Sequence, residues 1–98
     1  MEAEVRAAVE GLRARIERER ELISALDESL TQEPAREWLK QATNHVDDAR
    51  GILLGVEESL TPWVLIRGSN EFLGLAAQHR QKVEEARRKY GPDVTLVG

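Results

Sequence analysis

The chain contains no cysteine, which excludes disulfides, thiolate metal sites and cysteine nucleophiles. Aromatic residues make up only 4% of it, too few for a β-sandwich core. The longest unbroken apolar runs, Ile52–Leu54 and Trp63–Ile66, fall far short of the roughly 20 residues a membrane-spanning helix needs. The first residues, Met1–Glu4, are acidic and lack an apolar stretch, so no signal peptide is expected and the cytoplasm is the default location. There is no Gly-x-Ser-x-Gly elbow, no glycine-rich phosphate loop and no proline- or glycine-framed acid pair. An enzyme is therefore not expected, and neither is a bound cofactor.

What is present is charge and helical periodicity. Charged residues are 33% of the 98, enough for exposed helices around one modest core in a single domain, 1–98. The net charge of −4 is unevenly spread. Residues 1–30 carry five basic and eight acidic side chains, residues 31–60 three and six, and residues 61–98 six and four. An acidic front and a basic end can attract each other within or between chains.

Apolar residues recur at Val5, Val9, Leu12, Ile16, Ile23, Leu26 and Leu30, with spacings of four and three and one interruption at Glu19. This heptad stripe predicts a first helix over 2–30, roughly 40 Å long, that needs a partner to be stable. The pattern returns thirty residues later at Ala35, Leu39, Ala42, Val46, Ala49, Leu53, Val56 and Leu60, predicting a second helix over 34–60. Trp38, His45 and Ile52 widen its stripe along one flank. Gly51 and Gly55 form a Gly-xxx-Gly step that could allow close helix approach, although two tolerated glycines are the plainer account.

Thr61-Pro62 is a strong start signal, a capping residue before proline at the first helical position. The third copy of the pattern is Leu65, Ser69, Phe72, Ala76, His79, Val83, Ala86 and Tyr90. Gly68-Ser69-Asn70 predicts a break, giving a short helix over 62–67 and a main helix over 70–90 that ends at Gly91-Pro92. The expected fold is all-α: an antiparallel three-helix, coiled-coil-like bundle with a short extra helix after Pro62. An extended C-terminal tail, 91–98, follows; it is β-prone and carries Val94 and Leu96.

With helices running up, down and up, Glu19, His45 and His79 fall at about one level. Two histidines and a carboxylate could hold zinc or iron, but helical di-metal sites use Glu-x-x-His pairs, which are absent. A polar layer that fixes register is the favoured reading, and its histidines would make it responsive to pH near neutrality. A shifted register in the third helix would keep the three apart.

The basic cluster Arg80, Lys82, Arg87, Arg88 and Lys89 is diluted by Glu84 and Glu85, so nucleic-acid binding is not expected. Trp63, Val64, Leu65 and Ile66, with Phe72, Leu73 and Leu75, occupy more sides of a helix than one stripe can bury. That surplus points either to a protein interface or to a plug at the end of the bundle. The leading expectation is a non-enzymatic assembly or adaptor module, self-associating into a homo-oligomer or binding another protein. A structural or virion scaffold component fits the same features. A small regulator that binds nucleic acid or inhibits another protein, and a metal-binding bundle, are the alternatives.

Overall fold

The computed structural model describes residues 2–27 and 35–90. Three helices pack into a rod of 49 × 18 × 17 Å: α1 (Ala3–Asp27), α2 (Ala35–Leu54) and α3 (Pro62–Tyr90). A 3-10 turn, Val56–Glu58, lies between α2 and α3. The all-α bundle expected from periodicity is the observed architecture, without strands among the described residues.

Side-chain contacts fix the directions. Arg15 meets Asn70 and Glu19 meets Arg80, so α1 and α3 run parallel. Ala49 meets Ser69, His45 meets His79 and Lys82 lies over the Trp38 ring, so α2 runs antiparallel to α3. The heptad stripes are the core. Val5, Val9, Leu12, Ile16, Ile23 and Leu26 of α1 are all buried, as are the six predicted α2 positions from Ala35 to Leu53. Each fully buried valine, leucine or isoleucine contributes roughly 1.5–3 kcal/mol. The flank residues Trp38, His45 and Ile52 are half-buried, as a widened stripe requires.

α2 and α3 lie closest together, and small residues explain it. Ala42, Ala49, Ser69 and Ala76 have no exposed surface, so little side-chain bulk separates the two backbones. At this seam the Ser69 hydroxyl donates a 2.6 Å hydrogen bond to the Ala49 carbonyl. That bond corrects the predicted break at Gly68-Ser69-Asn70. Serine opposes a helix when its hydroxyl competes for local backbone groups; here the hydroxyl is satisfied by α2 instead. Gly68 sits beside the Ile52 side chain, and α3 continues unbroken from Pro62 to Tyr90. The short extra helix is thus its first turns.

The second helix is shorter than predicted. It ends at Leu54, where the Gly55 amide turns back to the Ile52 carbonyl at 3.1 Å, a tighter i−3 bond. The resulting 3-10 turn carries Val56 into the core, 2% exposed, while Leu60 leaves the stripe and is fully exposed. Gly51 makes no close approach, because a β-carbon added there would meet nothing within 4 Å. The connection closes through the Thr61 amide, which donates to the Ser59 hydroxyl at 2.9 Å. The Thr61 carbonyl accepts the Val64 amide at 3.1 Å, with Pro62 in the first helical position as expected. The C-terminal residues 91–98, and the end of the first predicted helix at 28–30, lie outside the described residues.

Candidate functional site

Two regions gather the residues singled out by the sequence. The first is a polar layer across the middle of the bundle. His45 and His79 do meet, their ring centroids 5.2 Å apart, and Phe72 stacks on His45 at 6.0 Å. His79 Nδ1 lies 2.9 Å from the Leu75 carbonyl, which can only accept, so that nitrogen carries the proton. His45 Nδ1 is buried and has no hydrogen-bond partner among the described residues.

Glu19 does not join them. Its carboxylate accepts a hydrogen bond from Arg80 Nε, and Arg80 Nη1 donates to Glu84 at 2.7 Å. Burial disfavours the guanidinium charge, but the hydrogen bonds to Glu19 and Glu84 outweigh it and raise the Arg80 pKa above its ordinary value. The helical register explains the substitution of partner. Ser69, Leu73, Ala76 and Val83 are the buried positions of α3, and the four-three spacing between Ala76 and Val83 falls on Arg80 rather than His79. A guanidinium therefore takes the carboxylate that the metal reading assigned to zinc or iron. Among the described residues no group of three or more histidine, aspartate or glutamate side chains is placed to hold a metal ion. The trio Glu19, His45 and His79 is not a donor set.

The same contacts draw on the basic cluster. Arg80 is spent on Glu19 and Glu84, and Lys82 Nζ lies 4.4 Å from the centre of the Trp38 ring. Arg80 is thereby withdrawn from the surface, whereas Lys82 stays exposed on it.

The second region is the corner between α2 and α3. Leu60 is 100% exposed, Leu54 73%, Val64 57% and Trp63 48%. Trp63 and Ile66 face Ala8 and Leu12 of α1 across a shallow groove. Of the interface residues expected from the sequence, Trp63, Val64 and Leu75 are exposed, whereas Leu65, Ile66 and Phe72 pack half-buried against the core. Leu73 is a correction: at 4% exposure it belongs to the core, because the buried stripe of α3 steps four residues from Ser69 to Leu73 and then three to Ala76. Val94 and Leu96 lie outside the described residues. Sequence reasoning missed Leu54, which lies beside the buried stripe at the end of α2, and Leu60, whose signal was Gly55: a glycine after a long helical pattern ends the helix and releases the residues beyond it.

No family model, curated protein or solved structure matches the chain. No helix among the described residues is long and apolar enough to cross a membrane.

Proposed function

We propose that the protein is a non-enzymatic interaction module that docks another protein chain on the α2–α3 corner. One observation carries this: Leu54, Leu60, Trp63 and Val64, four large apolar side chains, stand in water within eleven positions of one another. Scattered single exposed leucines are ordinary on a protein surface. A concentration of them at a corner is what a contact surface holds. The non-enzymatic reading is supported by the polar layer, where Glu19 and Arg80 pair with each other inside the bundle instead of lining an accessible cleft.

The test is a photo-crosslinking amino acid at Val64, compared with the same group at Glu21, an exposed α1 position. A discrete protein adduct in cells at Val64, absent at Glu21, is expected. Equal or no adducts at both positions would refute the proposal.

A further inference from the structure

Trp63 belongs to the exposed corner and also to the groove between α1 and α3, and that groove differs in charge from the chain that carries it. Resting on the reading of this end of the bundle as a docking surface, we infer that the groove seats an amphipathic helix of another protein. The apolar stripe of that helix is flanked by glutamate or aspartate.

α1 and α3 run parallel, so the trough between them is straight, the form that receives a helix lengthwise. Leu12 and Ile66 line it, and Trp63, 48% exposed, stands at one end with about half its surface in water. On the α1 wall the space over Gly11 is open, since a β-carbon added there would meet nothing within 4 Å. A trough this shallow leaves a small molecule mostly in water, whereas a helix covers it along its length.

The charge of the occupant follows from the rim. The chain is net −4, yet the charged residues that line the groove, Arg15 and Arg67, are both cations. Arg15 donates to the Asn70 side-chain oxygen at 2.9 Å, a neutral partner that holds the guanidinium between α1 and α3 and leaves its charge uncompensated. Arg67 has no ion pair among the described residues. Arg80, by contrast, is already held by Glu19 and Glu84. Charges outside the groove are mixed. Glu4 and Arg18 extend the α1 side, Glu71 follows Arg67 by one turn of α3, and Glu57 and Glu58 precede the corner; all five are exposed and none lines the groove. Glu85 and Arg88 lie farther along α3, more than about 25 Å from Arg67. Within the groove itself, carboxylates beside a partner's stripe therefore meet guanidinium groups, whose forked N–H pattern matches them.

The probe is a helical peptide of about three heptads with leucine on its stripe and glutamate on both flanks; a lysine-flanked counterpart is the control. Binding is read from Trp63 emission in the Trp38→Phe chain, where Trp63 is the single tryptophan. The glutamate peptide is expected to bind at least about tenfold more tightly than the lysine peptide, with the difference shrinking as salt rises. Arg15→Glu/Arg67→Glu should reverse that order. Gly11→Leu should abolish binding while the melting temperature holds or rises, because leucine is the better helix former and its β-carbon meets nothing within 4 Å. No binding of the glutamate peptide at about 1 mM would overturn the inference, as would equal binding of both peptides or an unaltered affinity in Gly11→Leu. So would a dimer, seen by light scattering, that Gly11→Leu dissociates, since the occupant would then be a second copy of this chain. If Val64 crosslinks to another protein but the acidic peptide is not preferred, this inference fails and the interaction module stands.

Discussion

The Glu19–Arg80 pair crosses from α1 to α3 with side chains only 8% and 11% exposed. Breaking such a pair from one side differs sharply from removing it whole. Arg80→Leu leaves the Glu19 carboxylate nearly buried without its cation, at a cost of about 3–5 kcal/mol. In a domain of this size each kcal/mol moves the melting temperature by about 4–8 °C, so a fall of at least about 12 °C is expected. Glu19→Leu is milder. It restores an apolar residue to the heptad stripe between Ile16 and Ile23, and Arg80 keeps Glu84. Because the Glu84 side chain is 36% exposed, that remaining pair is partly screened, and a cost of about 1–2 kcal/mol is expected. The double variant Glu19→Leu/Arg80→Leu substitutes an apolar layer for an ionic one and should match the parent chain or exceed it by up to about 4 kcal/mol. The assay is urea and thermal unfolding of the four proteins by far-ultraviolet circular dichroism. A double variant as unstable as Arg80→Leu would refute the reasoning, as would an Arg80→Leu cost below about 0.5 kcal/mol.

The remaining predictions concern single sites. Gly51→Ala and Gly74→Ala should each raise stability by up to about 1 kcal/mol, read as a higher melting temperature, since both lie inside helices with nothing within 4 Å of an added β-carbon. His45→Phe should be neutral or stabilising by about 1 kcal/mol in denaturant titration, because it removes a buried ring nitrogen without a partner among the described residues and keeps a ring against Phe72. Leu39→Ala should cost about 2–5 kcal/mol, whereas Leu60→Ala should leave the unfolding midpoint within about 0.5 kcal/mol of the parent; the two leucines are 2% and 100% exposed.

Much of this fold is legible in the stripes themselves. A four-three alternation across Val5–Leu26 and Ala35–Leu53 can be buried only by packing helices side by side, and every apolar residue on that alternation is buried, with the flanking Trp38 and Ile52 half-buried. Legibility fails where local chemistry has two outcomes. Ser69 reads as a cap or as a helix residue depending on whether an acceptor waits opposite, and the Ala49 carbonyl is invisible from the local sequence. The phase of α3 is a second ambiguity. The thirty-residue repeat steps three and then four from Ser69 and puts Phe72 and His79 on the stripe; the helix steps four and then three, which puts Leu73 and Arg80 there and so changes the partner of Glu19. The polar layer was therefore located correctly in height and wrongly in composition. At the corner, Leu60 obeys the heptad spacing but not its consequence, because Gly55 ends the helix before the stripe reaches it.

The small-residue seam between α2 and α3 also sets an order of opening. Two helices whose backbones approach through Ala42, Ala49, Ser69 and Ala76 share a closely fitted contact, while α1 docks on them through larger side chains and touches each less extensively. The α2–α3 hairpin is then the last part to yield, and α1 can swing away first as one cooperative unit. Native-state hydrogen exchange should show α1 amides exchanging together at a lower free energy than those flanking Ala42 and Ala76. Uniform protection across all three helices would contradict that order.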